Sequence, residues 1–220
     1  MSDTKTCAPL WRRALVMLPS VPGIGLGVAL LMKANMGMDP FTSFQSAISP
    51  MTGLSVGTWS VILNSAIVIA FLFIDRKLIG LGSVVFAAGI GPFINLFSGL
   101  LDKLFPGALP LWSALICVLA GTVLISASIA NYLPLQLGAQ ATDMISITLG
   151  RLTHKTVGFG MILFNGVMFV IAVLLGAVWG LGTLSCVFLV GKLVDWLSPV
   201  LNPLSLRLAG MEPSVAVAVE

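Results

Sequence analysis

Charge is scarce in this chain. Lys, Arg, Asp and Glu supply 9% of the 220 residues, where a soluble domain carries roughly 25%, so a water-soluble globule is excluded. The net charge of +3 comes from a few basic residues at the ends of apolar runs, which is no footprint for nucleic acid. Histidine is nearly absent. The single copy, His154, lies in a basic stretch with Arg151 and Lys155 and reads as a topology or lipid-headgroup residue. Without a second histidine or a cysteine nearby, no metal centre is expected. The three cysteines, Cys7, Cys117 and Cys186, are too scattered for a metal cluster or a disulfide framework. No phosphate-cradling glycine loop followed by Lys and Ser or Thr is present. With no carboxylate pair in one short segment and no His/Cys cluster, neither a cofactor nor an enzyme is expected, although an Asp pair from different helices remains the least favoured reading.

What the chain has instead is apolar length. Apolar residues make up 58% and the mean hydropathy is +1.08, the composition of an integral membrane protein in one domain. Six stretches are long and apolar enough to cross a bilayer: 13–35, 56–74, 78–100, 110–132, 157–177 and 180–200. The first carries Pro19, Pro22 and glycines rather than a small-residue cleavage site, so it reads as a retained helix and not a signal peptide. Lys5, Arg12, Arg13, Arg76, Lys77, Arg151, Lys155 and Arg207 all fall on one side of a six-span arrangement. That side is expected to be cytoplasmic, with both termini there.

The two halves resemble each other. A shift of 101 places sets Gly37 on Gly138, Thr52 on Thr153, Gly57 on Gly158 and Asn64 on Asn165. A shift of 100 then sets Gly80, Leu81 and Gly82 on Gly180, Leu181 and Gly182, Gly91 on Gly191, and Asn95 on Asp195. Glycines and a polar Asn kept in step over sixty residues indicate a duplicated unit. The expected boundaries are a cytoplasmic tail at 1–10, a first three-helix repeat at 11–102, a second at 108–201 and a cytoplasmic tail at 202–220. Three spans per copy invert the second copy relative to the first, a pattern of secondary transporters whose sites lie between the repeats. After the first span of each copy comes a piece too short to cross: Asp39 and Pro40 open one, and Ala141, Thr142 and Asp143 the other. Their amide-rich N-terminal ends are expected to favour an anion or a carbonyl group.

The run Gly25-Leu26-Gly27-Val28-Ala29-Leu30, then Ala34-Asn35-Met36-Gly37-Met38-Asp39-Pro40, then Thr52 to Gly57, together with Gly180-Leu181-Gly182-Thr183, resembles the YczE/YyaS/YitT family of bacterial membrane proteins over about residues 11–200. The resemblance implies a bacterial inner-membrane protein of the kind taken for a transporter or permease. The family pattern has a Trp-Asp pair after the Pro. Phe41 and Thr42 stand there in this chain, and Asp143 lies opposite Thr42 in the second copy.

Eight residues are candidates for a solute site, each with a plainer reading beside it. Lys192 and Asp195 share a helix face and can pair, or are merely wet near the cytoplasmic end. Asn95 is the matched position of Asp195. Asn64 and Asn165 either line a cavity or hydrogen-bond between helices. Asp39 and Asp143 either cap the short helices or reach into a pocket, with Gln140 close to Asp143. Gln45 and Gln136 are weaker candidates on the same grounds. The glycines at 80, 82 and 91 and at 180, 182 and 191 suit close helix approach. The leading expectation is a small-solute transporter or permease rocking one repeat against the other. The alternative is a non-transporting scaffold or subunit supporting a partner enzyme or transport complex. Beyond the lipid bilayer and an unknown small solute, a homodimer is permitted.

Overall fold

The computed structural model describes residues 8–155, 157–177 and 179–211, and among these residues the regular structure is all helical. In chain order the α-helices are α1 Leu10–Met17, α2 Ser20–Ala34, α3 Pro40–Thr52, α4 Val56–Ile74, α5 Leu81–Leu104, α6 Leu111–Tyr132, α7 Ala141–Leu152, α8 Val157–Leu174 and α9 Leu181–Ala209. Proline has no N–H to donate, so the first apolar stretch is interrupted at Pro19, yet α1 and α2 together make one 25-residue apolar rod. Asp39 is the N-cap of α3 with Pro40 at its first position, as the sequence predicts, and Gly53 closes that helix at φ +70°.

Among the described residues, five helical segments are long and apolar enough to cross a membrane: Leu10–Ala34, Val56–Ile74, Leu81–Leu104, Leu111–Leu135 and Leu181–Ala209. The stretch expected as a sixth span, 157–177, forms a shorter helix. α8 stops at Leu174, where Gly176 turns at φ +79°, and 18 residues at 1.5 Å each reach only about 27 Å. The last segment departs from expectation the other way. Instead of giving way to a tail at 202, α9 runs through Pro199 and Pro203 to Ala209. Its far end is held by tertiary contacts, since Ser205 Oγ donates to Asn131 Oδ1 at 2.7 Å and Leu206 is fully buried.

α2 and α6 pack against each other at the centre through Gly27 and Gly121, whose Cα atoms face the other helix's backbone oxygens. α5 lies on α2, α9 on α6, α4 on α5, and α8 against α7 and α3. Between these helices sits the main core, with Met17, Leu31, Phe86, Ile94 and Tyr132 all buried. A second cluster joins α4, α5 and α7 around Phe71 and Met144. The outside is the reverse of a soluble protein's: Ile69, Phe73, Val84, Leu96, Trp112 and Ile116 are exposed, the surface that lipid covers.

The chain's turns gather at two ends. At one, buried Arg13 donates Nε to the Leu135 carbonyl at 2.8 Å and Nη2 to the Leu135 and Gln136 carbonyls. Ala139 N donates to Leu78 O at 3.0 Å, and Arg151 pairs with Asp75 at 2.8 Å. At the other end, Lys33 pairs with Asp102 at 2.8 Å and Gly182 N donates to Met36 O at 2.8 Å. That last bond has a counterpart at matched positions: Gly82 N donates to Leu137 O at 2.7 Å. Each is a backbone contact in which a loop of one half receives the start of a long helix of the other, and a Cβ at Gly82 or Gly182 would meet that loop's carbonyl oxygen.

Candidate functional site

A cavity of about 100 Å³ lies at the centre, walled on one side by branched aliphatics such as Ile24, Val28, Ile90 and Ile94 and on the other by polar side chains. The polar wall is built by the short helices. α3 contributes Asp39, Thr42 and Gln45, which recur every three residues and so share a face, and α7 contributes Asp143 and Ser146 by the same spacing. α4 adds Ser60 and Asn64, α8 adds Asn165, and Gln140 stands just before α7. Under the shift of 101 eight of these fall in pairs, Asp39 on Gln140, Thr42 on Asp143, Gln45 on Ser146 and Asn64 on Asn165, while Ser60 falls on Met161, which also lines the cavity.

Each polar group has a definable state. Asp39 Oδ1 accepts from Thr42 N at 3.0 Å, capping α3 while remaining on the cavity wall. Asp143, buried in the first turn of α7, accepts from the hydroxyl of buried Tyr132, which also accepts from Gln140 N at 3.4 Å. Asn64 Nδ2 donates to Ser60 O at 2.7 Å and Ser60 Oγ at 3.0 Å, a bond within α4 rather than between helices. Among the described residues its Oδ1 has no partner, and neither has Oε1 of Gln45, although both side chains are about 2% exposed or less. Such buried, unsatisfied acceptors cost about 1–3 kcal/mol each. The anion-attracting helix start expected for α3 is therefore already occupied by the chain's own carboxylate. Among the described residues no Lys, Arg or His lines the cavity, and no cluster of three or more His, Cys, Asp or Glu is placed to hold a metal.

The remaining candidates lie elsewhere. Asn95 Oδ1 accepts from Gly57 N at 3.2 Å, joining α5 to the start of α4 from an exposed position. Lys192 and Asp195 are exposed on the outer face of α9, next to Trp196. Gln136 is exposed, and its carbonyl serves Arg13. Sequence reasoning passed over Ser60, Ser146 and Tyr132. Extending the 101-place shift through the short helices and reading every third residue picks out Thr42 and Ser146; nothing in the sequence ties Tyr132 to Asp143. One stretch, Gly53-Leu54-Ser55-Val56-Gly57, has the spacing of a hydrolase nucleophile elbow. An elbow needs a strand running into a helix, whereas Ser55 lies between two helices and caps α4 by accepting from Thr58 N at 3.1 Å.

An apolar exterior, several bilayer-length helices and a small polar chamber among them define a multi-pass helical membrane protein. The chain belongs to the family of unknown function DUF6198, whose family pattern matches residues 11–199. It is similar to the uncharacterized protein YyaS of Bacillus subtilis (strain 168), with 29% identity over 182 residues, 81% of this chain and 89% of that one. An uncharacterized protein of Haemophilus influenzae is 25% identical over 181 residues, 82% of this chain and 81% of the relative. The uncharacterized membrane protein YczE of Bacillus subtilis is 28% identical over 162 residues, 72% and 70% respectively. No solved structure matches the chain.

Proposed function

We propose that this protein is a small-solute transporter of the bacterial inner membrane, built as two inverted three-helix repeats that rock about the central cavity. The observation that carries the reading is the composition of the polar wall: it is assembled from both halves, at positions that match under one shift, as expected when a site lies on the axis between repeats. The crossed backbone bonds Gly82 to Leu137 and Gly182 to Met36 support the same symmetry. In this reading α8 completes the sixth crossing with a thinner local bilayer. The end bearing Arg13, Arg151 and the last turn of α9 faces the cytoplasm, and α3 and α7 enter from opposite sides. Uptake or efflux in proteoliposomes tests it, with Asp143→Asn, Gln45→Ala and Asn165→Ala as cavity variants and Asp195→Asn as an outside control. Cavity variants are expected to slow flux at least tenfold while the control moves solute normally. A substrate carried normally by all three cavity variants would sink the proposal.

The outer face of α9 favours assembly. Lys192 and Asp195 stand near the middle of a 29-residue apolar helix and point outward, where lipid costs at least about 2.5–3.5 kcal/mol per charge. In a twofold homodimer Lys192 of one copy meets Asp195 of the other, satisfying both at once. Molar mass in detergent distinguishes the cases. A dimer lost in Lys192→Asp and regained in Lys192→Asp/Asp195→Lys fits this arrangement. A monomeric parent, or a stoichiometric foreign subunit on this face, favours the scaffold reading.

A further inference from the structure

We infer that the central cavity takes a small organic cation, a primary ammonium on a short aliphatic body; this rests on the reading of the cavity as a solute site. The polar wall is rich in acceptors, and among the described residues it has no cation. Asp39 and Asp143 bring two carboxyl groups, and the basic side chains on or next to the lining helices are turned elsewhere: Lys33 pairs with Asp102, Arg151 with Asp75, Arg13 serves the carbonyls of Leu135 and Gln136, and Lys192 is exposed on the outer face of α9. Gln45 Oε1 and Asn64 Oδ1 are both buried and both lack a donor. For Asn64 the identity of the free atom is fixed by the hydrogen bonds, because Nδ2 is held by Ser60 and the oxygen is what remains. Carboxylates and amide oxygens together call for positive charge and N–H donors, and an ammonium group carries a charge and three donors at one point.

The opposite wall selects the rest of the ligand. Ile24, Val28, Ile90, Ile94, Ile125 and Ile129 offer an aliphatic surface with no hydrogen-bonding capacity. Fully hydrated metal ions gain nothing there, and the described residues form no close set of metal ligands. A chamber of about 100 Å³ has room for on the order of three waters at about 30 Å³ each, so the body is a few carbon atoms long.

The experiment uses the full-length protein in detergent, with n-butylammonium as the probe and 1-butanol and butyrate as its neutral and anionic counterparts at matched ionic strength. Saturation-transfer NMR and thermal unfolding read binding directly, without flux. Butylammonium is expected to bind saturably and raise the melting temperature, with butanol and butyrate at least tenfold weaker. Asp143→Asn is expected to weaken it by about tenfold or more, the worth of one charge-assisted hydrogen bond. Gln45→Leu serves as the variant closest to folding-neutral, since replacing a buried acceptor that lacks a donor by an apolar group need not destabilise; Asn64→Leu also gives up the bonds to Ser60, so its binding is compared at a temperature where it is folded, and each is expected to weaken the probe several-fold. The inference is overturned if butyrate or butanol binds as well as the ammonium, if sodium or potassium alone reproduces the effect, if the folded protein binds no butylammonium, or if all three variants bind like the parent. Binding without flux in proteoliposomes would leave the cation site standing and remove the transport reading instead.

Discussion

Gly91 and Gly191 occupy the same place in the two halves of the sequence, yet alanine is expected to act on them with opposite sign. A Cβ at Gly91 meets the carbonyl oxygen of Gly57 well inside contact distance and comes within 2.6 Å of Val61 Cγ2. Val61 can rotate away, but the backbone of α4 cannot, so α4 and α5 must part. Forcing extra volume into a packed contact costs about 1–3 kcal/mol, and the Gly57–Asn95 hydrogen bond beside it adds about 0.5–1.5 if lost. Improved helix propensity returns only about 1 kcal/mol. Gly191 has nothing within 4 Å of such a Cβ, so there the propensity gain stands alone. The net loss at Gly91 is about 0.5–3.5 kcal/mol, and at about 2–4 °C per kcal/mol for a chain of this size Gly91→Ala is expected to melt roughly 1–14 °C below the parent and Gly191→Ala up to about 4 °C above it. Intrinsic fluorescence from the five tryptophans follows the melt in detergent. A Gly91→Ala variant as stable as the parent, or a Gly191→Ala variant less stable than Gly91→Ala, would refute the reasoning.

Three further outcomes follow from the contacts. Arg13→Ala leaves the carbonyls of Leu135 and Gln136 without their donors and is expected to lose about 1.5–3 kcal/mol in chemical unfolding, whereas a pure charge effect would be rescued by Arg13→Lys. Asp102→Asn breaks the Lys33 pair at a side chain that is 69% exposed, so the expected loss is under about 1 kcal/mol, and a larger one measured by the same titration would contradict a surface role. Tyr132→Phe removes the donor to Asp143, with an expected loss of about 1–3 kcal/mol; in a Tyr132→Phe/Asp143→Asn double variant the two effects should fall short of additivity, and strict additivity would show that the pair does not act as a unit.

The helices were legible because a bilayer imposes length and apolarity together, and both are plain in a linear chain. Asp39-Pro40 announced the start of α3 for an equally local reason. Boundaries set by tertiary contact were not legible: α9 passes Pro199 and Pro203 because Ser205 and Leu206 are held by the neighbouring rod. Asp39, Asn64, Gln140, Asp143 and Asn165 meet at one cavity, since a polar side chain in an apolar run has few places to go. Lys192 and Asp195 show the limit of spacing arguments. Three residues apart means a common face, but not which one. Cys186 and Val190 of α9 reach the cavity, and at about 100° per residue Asp195 lies half a turn round from Cys186, and Lys192 nearly so from Val190. Only the packing of α9 on α6 decides that the charged side is the outer one.

The backbone bond from Gly82 to Leu137 also bears on how the protein is made. During synthesis α5 enters the bilayer before its acceptor exists, because some fifty residues separate the two, and Gly182 in turn closes on a loop laid down long before. The amino-terminal half therefore waits, unsealed at the start of α5, until the carboxy-terminal half arrives to lock it, and is in turn used as the clasp for its later twin. A chain ending between Gly82 and Leu137 has no acceptor for Gly82 N, and one ending before Gly182 leaves Met36 O without that donor, so the bonds that join the two halves can form only once both have been made.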